Sequence, residues 1–411
     1  MKKVAVAGAG YAGLFSAANL LASGNEEKKF HITVFDKNPY HQLLQQIHLV
    51  SAGVKKPEDI SFSINELLKN EISFINESVL SLDLDNKVIT TTLNDNAKNS
   101  RKQEYKFDYI IIALGSSNAY FNIKGAQENA FSFRSLDDAI TLRKKLEEIP
   151  SQSNIVICGG GATGISLAGA LTDEYISSFK VTVIEAQEDI LPGWDLKLIS
   201  EIKNFLITRG IRIVTNNPIK EVGPSYVILK DDTKVDSAVS VWTAGIKGRD
   251  IKIIPEIKKT RSDRIIVNKY SQIEGYDYAF AVGDISAFPL NDILVSPQLA
   301  QFAVRQARNV AKNIIRIEGG NESMVEFQYQ QHGSILSLGT KCMGIMNGVI
   351  IKGTLCEYVE DFLIDNYITA IRNKGKGLSG LAYEQDAISQ ISTSLNFMIS
   401  TAARIFSSHN K

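Results

Sequence analysis

One repeated pattern near the start of the chain constrains the fold more than any other feature. It consists of Val4–Ala7, Gly8-x-Gly10-x-x-Gly13, Leu14–Ala22, Ile32–Phe35 and Asp36. The two short apolar runs are typical of strands buried on both faces, and the alanine- and leucine-rich run between them is typical of a helix. The spacing therefore predicts a strand, a glycine turn, a helix and a second strand that ends in an acid.

Each part of this unit has a physical role in binding a dinucleotide. The first glycine permits a tight turn, the second lets the backbone approach a pyrophosphate, and the third lets helix and strand pack closely. The pyrophosphate lies at the helix N-terminus, where free N–H groups and the helix dipole favour an anion. Asp36 can accept hydrogen bonds from a ribose diol. A glycine-rich helix cap without a ligand is the alternative.

The whole unit occurs a second time in the middle of the chain. The second copy consists of Ile155–Cys158, Gly159-x-Gly161-x-x-Gly164, Ile165–Leu171, Val181–Ile184 and Glu185. Two copies in one chain predict two dinucleotide-binding domains. The carboxylate of Glu185 would repel a ribose 2′-phosphate, so the second domain is expected to prefer NAD over NADP.

Three later apolar runs end in glycine and suggest further strands of the same sheets. They are Phe107–Gly115, Val239–Gly245 and Tyr278–Gly283. Asp284 follows the third run, where an acid can hold a polyol such as a ribityl chain, although a turn cap is the alternative. Ser296 and Pro297 are suited to the N-cap and first position of a helix whose N-terminus would stabilise a reduced flavin.

Composition excludes several classes of function. The 411 residues hold 45 basic and 45 acidic side chains, and this balance argues against nucleic acid as a partner. No run of about 18 uncharged apolar residues is present, so no spanning helix is expected. The three cysteines have no zinc spacing, and no charged-then-apolar leader precedes the first strand, which favours a cytoplasmic location.

Two further segments are polar. Asn38–Ser61 can be a loop that runs back along a bound cofactor, or a plain connecting helix. Asp95–Tyr105 is expected to be an exposed hairpin tip between strands.

The C-terminal part predicts strands within 327–353 and a helix at Glu357–Arg372, followed by a flexible basic link. A last helix, Glu384–Ser407, has an apolar stripe and an almost uncharged opposite face. Such a helix fits the plane of a membrane interface, with Lys374, Lys376, Arg404 and Lys411 near anionic headgroups. A homodimer interface is the alternative, and both can hold.

Taken together, these motifs resemble the two-dinucleotide-binding-domain flavoproteins, and most of all the type II NADH:quinone oxidoreductases. The matching segments are VAVAGAGYAGL, VFDKNPYHQLL, YIIIALGS, IVICGGGATGISLAGAL, VTVIEAQEDILP, VWTAGI, AFAVGDIS and SPQLAQFAVRQA. The resemblance covers Val4 to about Ile371. VWTAGI and the AQxA motif Ala300-Gln301-x-Ala303 point to this family within the superfamily.

The resemblance implies cofactors and site residues. FAD is expected to contact Gly8, Gly10, Tyr11, Ala12, Gly13, Asp36, Lys37, Gln42, Val79, Ala113, Gly115, Asp284, Ala300 and Gln301. NADH is expected to contact Gly159, Gly161, Ala162, Thr163, Gly164, Glu185 and Gly245. Gln301, Gln306 and Ser166 are the candidates for direct roles in the chemistry, with Gln301 also bordering the quinone. The family usually has Glu at the position of Ser166 and AQxAxQQ where this chain has Arg305 before Gln306.

The expected fold is α/β, with two Rossmann-like dinucleotide-binding domains and a C-terminal α+β membrane or dimer region. Residues 1–120 with 270–325 would bind FAD, 121–269 would bind NADH, and 326–411 would carry the membrane-associating helices. The implied enzyme passes hydride from NADH to flavin N5 and two electrons to a membrane quinone, without pumping protons, at the cytoplasmic face of the cell membrane. The alternatives are a sulfide:quinone oxidoreductase that uses Cys342 and Cys356, and a non-enzymatic NADH-binding redox sensor.

Overall fold

A computed structural model describes residues 1–24, 29–69, 71–93, 101–174, 179–291, 293–320, 323–329, 331 and 333–373. The predicted helix Glu384–Ser407 and the basic link before it lie outside the described residues. In the part that is described, no helix has the length and apolar character needed to cross a membrane.

The described strands are, in chain order, β1 Lys2–Ala7, β2 Phe30–Phe35, β3 Tyr40–Gln42, β4 Ser61–Ser63, β5 Ser73–Ile75, β6 Ser78–Asp83, β7 Val88–Thr92, β8 Lys102–Lys106, β9 Tyr109–Ile112, β10 Ser116–Asn118, β11 Ala130–Ser132, β12 Asn154–Cys158, β13 Lys180–Ile184, β14 Arg212–Val214, β15 Ile219–Val222, β16 Tyr226–Leu229, β17 Lys234–Asp236, β18 Val239–Trp242, β19 Ile246–Gly248, β20 Lys252–Ile254, β21 Ile265–Ile266, β22 Gln272–Ile273, β23 Tyr276–Ala281, β24 Ser286–Ala287, β25 Gly333–Leu338, β26 Lys341–Met346 and β27 Val349–Lys352. The helices are α1 Tyr11–Gly24, α2 Ile47–Ser51, α3 Ile64–Leu68, α4 Ala126–Asn129, α5 Leu136–Glu148, α6 Ala162–Glu174, α7 Leu196–Thr208, α8 Ala300–Glu318 and α9 Thr354–Arg372.

Two mainly parallel sheets form the centre of the molecule, and they repeat one arrangement. The first has the strand order β22-β23-β9-β1-β2-β5, and the second has the order β11-β18-β12-β13-β14. In the first sheet β1 pairs in parallel with β2 and β9, and in the second sheet β12 pairs in parallel with β13 and β18. Each glycine motif thus follows a strand flanked by two parallel neighbours, at the carboxyl edge where α/β sheets bind ligands.

Smaller sheets complete the chain. β6, β7 and β8 form an antiparallel sheet that β20 joins through β6, while β15, β16 and β17 form another. β10 and β19 pair with each other as an antiparallel two-stranded ribbon. β10 follows the first sheet's β9 and β19 follows the second sheet's β18, so this ribbon is the crossing point between the two halves.

The C-terminal part packs on both halves. The antiparallel sheet β25-β26-β27 lies against α6, and α9 lies against α1 and α3. Close packing is evident at Gly169 on α6, where an added Cβ would meet the Cα of Leu338 at 2.8 Å. Burial of apolar surface between these layers supplies most of the stabilising free energy.

The structure confirms the predicted strands and helices of both glycine-motif units, the C-terminal strands and the helix that ends at Arg372. The segment after Asp36 combines the two interpretations, since it holds the short strand β3, a single 3₁₀ turn and the short helix α2.

The predicted helix start at Ser296 and Pro297 is wrong, because α8 begins at Ala300 and Leu299 occupies the N-cap position without a side-chain cap. The hydroxyl of Ser296 is already engaged. It accepts hydrogen bonds from the Arg264 guanidinium at 2.7 Å and from the Phe288 backbone N–H at 3.2 Å. Long-range hydrogen bonds therefore override the local capping signal.

The prediction of an exposed hairpin tip over Asp95–Tyr105 is wrong from residue 102 onward, and residues 95–100 lie outside the described residues. Lys102–Lys106 forms β8, which pairs with β7 along its length. Its side chains alternate between exposed and half-buried, and the exposed ones are charged. The segment therefore lacks the apolar alternation by which a strand is recognised in a sequence.

Candidate functional site

The first glycine turn is a cradle shaped by backbone contacts. Gly8 has a φ of +106°, a conformation that disfavours other residues, and an added Cβ there would overlap the carbonyl oxygen of Ala113. A Cβ at Gly13 would overlap the carbonyl oxygen of Gly8, so the helix packs directly on the turn. A Cβ at Gly10, by contrast, would meet no protein atom within 4 Å. The open space over Gly10 is where the predicted pyrophosphate fits.

The second glycine turn has the same construction. Gly159 has a φ of +120°, and an added Cβ would lie 2.5 Å from the Cα of Ala244, just as Gly8 abuts Ala113. A Cβ at Gly164 would overlap the carbonyl oxygen of Gly159, whereas one at Gly161 would meet nothing within 4 Å. Both halves of the chain therefore present an open glycine between two tightly packed ones.

The two acids at the strand ends hold the two glycine turns. Asp36 accepts hydrogen bonds from the backbone N–H of Ala9 at 2.7 Å and of Asn38 at 2.9 Å. Glu185 accepts equivalent bonds from Gly160 at 2.7 Å and from Gln187 at 2.9 Å. Burial raises the pKa of Asp36, although these donors and the nearby Arg249 oppose the rise. The structure thus gives both predicted ribose acids a role in shaping the turn.

Asp284 lies in a polar cluster that the sequence did not reveal as a whole. Its carboxylate accepts a hydrogen bond of 2.7 Å from the Ser116 hydroxyl and forms an ion pair at 3.6 Å with Arg134. Arg134 also donates to Ser116, while its Nε atom is buried without a partner among the described residues. Burial lowers the pKa of Arg134, and Asp284 opposes that effect.

Arg249 is the second cation of this cluster. It donates to the carbonyl oxygen of Leu114 at 3.1 Å and lies close enough to Asp36 to affect its pKa. Arg134, whose side chain is 23% exposed and whose Nε donor has no partner among the described residues, is a group that a phosphate or a polyol oxygen would satisfy. Sequence reasoning missed both arginines, because each is isolated in the chain and reaches the site only through the fold.

The start of α8 presents one of the two predicted glutamines. Ala300 is exposed and Gln301 is half-buried, with its amide donating to the carbonyl oxygen of Gly333 at 3.3 Å. Gln306 is wholly buried and accepts a hydrogen bond of 2.8 Å from the Gly283 N–H. Its amide also donates to the Ser271 hydroxyl at 3.0 Å, so it fixes the turn that carries Asp284.

The other predicted residues lie around the two turns. Ala12 is buried and its Cβ faces Gly283, while Lys37 is exposed beside Asp36. The amide oxygen of Gln42 accepts a hydrogen bond from the first N–H of α5. Val79 packs at the edge of the core, and Gly115 is open, with nothing within 4 Å of an added Cβ.

In the second half, Ala162 and Thr163 are half-buried at the start of α6. Ser166 follows one turn later and is 6% exposed. Gly245 lies next to Ala244, which abuts the second glycine turn. The predicted NADH residues therefore come together around one carboxyl edge.

The C-terminal helix contacts the first glycine turn through an aromatic cluster. Tyr11, inside the glycine motif, has its ring 4.9 Å from that of Tyr367 on α9 and 5.1 Å from that of His41. His41 bonds the carbonyl oxygen of Ala9 at 3.1 Å, and burial lowers its pKa to about 4. The imidazole is therefore neutral at pH 7 and ties α9 to the turn.

Cys342 and Cys356 form a disulfide between β26 and α9. Both are at most 1% exposed and lie in an apolar cluster with Met346, Ile351 and Val359. Cys158 is free and buried in β12, and burial raises its pKa to about 12. None of the three cysteines is an accessible nucleophile.

Comparison with known proteins agrees with this geometry. Residues 2–307 match the family model described as pyridine nucleotide-disulphide oxidoreductase. The chain is 30% identical over 412 aligned positions to a protein named type II NADH:quinone oxidoreductase from Staphylococcus aureus, which covers 93% of this chain and 98% of that protein.

Solved structures show the same fold. The structure of NDH2 from Plasmodium falciparum in complex with NADH has a TM-score of 0.79 at 16% identity, covering 91% of this chain and 96% of that one. The sulfide:quinone oxidoreductase from Aquifex aeolicus has a TM-score of 0.75 at 22% identity, covering 91% and 92%. On the family model and the curated relative, the chain belongs to the pyridine nucleotide-disulphide oxidoreductases and, within them, to the type II NADH:quinone oxidoreductases.

Proposed function

We propose that this chain is an FAD-dependent NADH:quinone oxidoreductase that reduces a membrane quinone without pumping protons. The single observation that carries the proposal is the repeated glycine turn. The chain has two such turns of the same construction, and each is hydrogen-bonded to an acid at the end of the adjacent strand. FAD, when bound, supplies the chemistry by accepting hydride from NADH at N5 and passing two electrons on to quinone. The protein's own residues bind and orient the reactants.

The first half of the chain has the residues that suit FAD. The open face of Gly10 admits a pyrophosphate, and Asp36 keeps acceptor capacity for a ribose diol. Asp284 and Arg134 supply an anion and a cation for polyol and phosphate oxygens. The N-terminus of α8, at Ala300, supplies backbone N–H groups that favour negative charge on a reduced ring.

The second half has the residues that suit NADH. Gly161 is open as Gly10 is, and Glu185 occupies the position of Asp36. The carboxylate disfavours a 2′-phosphate, so NADH is the expected donor rather than NADPH. Ser166 is buried close to this turn and lacks the carboxylate usual in the family, so protons for quinone reduction must reach the site through other groups or through water.

The proposed quinone site lies at the start of α8. Gln301, with its amide directed toward β25, is the residue that would border the quinone. We assign Gln306 a positioning role, because its amide is spent on Gly283 and Ser271 and has no access to substrate. Arg305, where the family motif has glutamine, lies over the Tyr329 ring at 5.7 Å and gives this side of α8 a cation.

The proposed location is the cytoplasmic face of the cell membrane, with peripheral attachment through the C-terminal helices and the possibility of a homodimer. The domain division remains 1–120 with 270–325 for FAD, 121–269 for NADH and 326–411 for the membrane side. Within 246–254, β19 pairs with β10 and β20 pairs with β6.

The sulfide:quinone alternative is less well supported. It needs a redox cysteine pair at the flavin, whereas the Cys342–Cys356 disulfide is sealed in an apolar cluster between β26 and α9. An intact second glycine turn also has no use in a sulfide enzyme. A redox sensor without turnover predicts NADH binding but no sustained quinone reduction.

Steady-state kinetics of the purified holoenzyme test the proposal. We expect a yellow protein that oxidises NADH with a soluble quinone over many turnovers and prefers NADH to NADPH by at least ~100-fold in kcat/KM. Sulfide-dependent quinone reduction would favour the first alternative, and NADH binding with only a single turnover would favour the second. A colourless protein, or one that uses only NADPH, would contradict the proposal.

A further inference from the structure

Phe121 has a combination of properties that packing alone does not explain. Its side chain is 64% exposed although it is fully apolar. Its backbone φ is +52° and that of Asn122 is +56°, and these are the only two consecutive non-glycine residues with positive φ in the part of the chain that the structure describes. Bulky residues in this region are strained, and such strain persists where the surrounding structure holds it for function.

The fold fixes this strained turn between the two halves. Phe121 follows β10, and Gly245 precedes β19, in the ribbon that crosses from one sheet to the other. The Ala119 N–H donates to the Gly245 carbonyl oxygen at 3.0 Å, and the Trp242 indole donates to the Ala119 carbonyl oxygen at 3.0 Å. Both bonds are made by the Ala119 backbone, two residues before Phe121, and they leave the phenyl ring uncovered.

The ring lies beside Gly245, one of the residues expected to contact NADH. A Cβ added to Gly245 would lie 2.5 Å from the Phe121 Cζ atom, so the ring rests on this glycine. Ala244, the next residue, abuts Gly159 at the start of the second glycine turn. β12 lies between β13 and β18 in the second sheet. Glu185 follows β13, so the end of the site that would bind the adenosine ribose lies away from Phe121.

We propose that Phe121 is a positioning residue: its exposed phenyl ring is the wall against which the nicotinamide ring packs. This inference rests on the proposed function. An exposed ring offers a flat apolar face to an aromatic ligand at low entropic cost, and the strained backbone keeps that face directed at the site before the ligand arrives. The ring takes no part in electron transfer.

The test compares two ligands that share every group except the nicotinamide base. Calorimetric titration of the FAD-loaded enzyme with NAD⁺ and with ADP-ribose is carried out on wild type, Phe121→Ala and Phe121→Tyr. Leu196→Ala is the control, because Leu196 is 80% exposed on α7 in the same half of the chain. We expect Phe121→Ala to weaken NAD⁺ binding ~10-fold, with ADP-ribose within ~2-fold of wild type, and Phe121→Tyr to restore NAD⁺ binding.

Kinetics provide the second readout. The KM for NADH should rise ~10-fold in Phe121→Ala, with the KM for a soluble quinone unchanged. Unchanged NAD⁺ affinity, or equal weakening of NAD⁺ and ADP-ribose, would overturn the role of Phe121. Wild-type protein that binds neither ligand would instead contradict the proposed function, so the two failures are distinguishable.

Discussion

The carboxylate of Glu185 accepts a 2.7 Å hydrogen bond from the backbone N–H of Gly160, which lies inside the second glycine turn. Asp36 and Ala9 repeat this relationship at 2.7 Å in the first half of the chain. Each acid follows one strand and binds the glycine turn that follows the adjacent strand. Its carboxylate keeps further acceptor capacity for a ribose. These two matching hydrogen bonds predict that changes to the two acids affect flavin binding and NADH binding separately.

Exchange of each acid for its amide should separate the two sites. Asp36→Asn should lower the flavin content of the purified protein. Glu185→Gln should leave flavin bound but raise the KM for NADH ~10-fold. The reason is that the Gly160 N–H would then lie against an amide group, which can donate as well as accept, in place of a carboxylate. Flavin absorbance per protein and NADH kinetics measure the two effects, and equal effects of both variants on flavin content would contradict two separate sites.

The glycines within one turn should also differ. Gly10→Ala should give a folded protein that loses flavin, because the new methyl group occupies open space where the pyrophosphate fits. Gly13→Ala should destabilise the fold by several kcal/mol, since its methyl group would overlap the Gly8 carbonyl. Thermal unfolding of both apoproteins distinguishes them, and a well-folded Gly13→Ala protein would show that the packing is looser than described.

Arg134→Met should lower FAD affinity at least ~10-fold, because it removes the half-buried cation paired with Asp284. Arg143→Met is the matched control, since Arg143 is half-buried against Gly53, pairs with Glu147 on α5 and is not one of the predicted cofactor residues. Affinity is measured by reconstitution of apoprotein with FAD. Equal affinity in the two variants would exclude Arg134 from the cofactor site.

The two glutamines of α8 should give different phenotypes. Gln301→Ala should raise the KM for quinone and leave the rate of flavin reduction by NADH within ~2-fold of wild type. Gln306→Leu should lower the free energy of unfolding by about 1–3 kcal/mol, because it leaves the Gly283 N–H buried without its acceptor. Stopped-flow kinetics measure the rate of flavin reduction, and chemical denaturation measures the free energy of unfolding. A change in the rate of flavin reduction with Gln301→Ala would show that Gln301 acts in the reaction with NADH.

Burial lowers the pKa of His41 to about 4 and that of His48 to about 3, from an ordinary value of 6.5. The unfolded chain then binds more protons than the folded chain below pH 6.5, so both histidines reduce stability as the pH falls toward 4, and neither affects it above 6.5. Burial raises the pKa of Glu360 to about 7, which acts in the opposite direction over the same range.

A variant comparison isolates the histidine contribution. His41→Phe keeps an aromatic ring between Tyr11 and Tyr367 and removes the titrating group. Its free energy of unfolding should therefore fall less steeply than that of wild type between pH 6.5 and 4, as followed by denaturant titration across this range. Parallel curves for the two proteins would show that His41 does not titrate as its burial implies.

The parts of the fold that were predictable are those encoded locally. Both glycine turns, their strands and their acids depend on neighbours within about thirty residues, and each relationship is visible as a spacing in the sequence. Repetition of the unit then fixed the correspondence between the two sheets.

The parts that were not predictable depend on long-range contacts. Arg134 and Arg249 reach the site from separate segments, and the Phe121 ring is recognisable only beside Gly245. Ser296 has the right chemistry for a helix cap, but the distant Arg264 uses its hydroxyl, so a correct local rule gave a wrong helix start. Gln306 matched a family motif in sequence, yet its burial shows that it supports a turn.

Anaerobic titration of the purified flavoprotein with NADH, followed by addition of quinone, tests the central claim most directly. The proposed transfer from NADH through the flavin to quinone predicts that one equivalent of NADH bleaches the flavin absorption and that one equivalent of quinone restores it. Flavin that stays oxidised in excess NADH, or that is reduced but not reoxidised by quinone, would contradict the account.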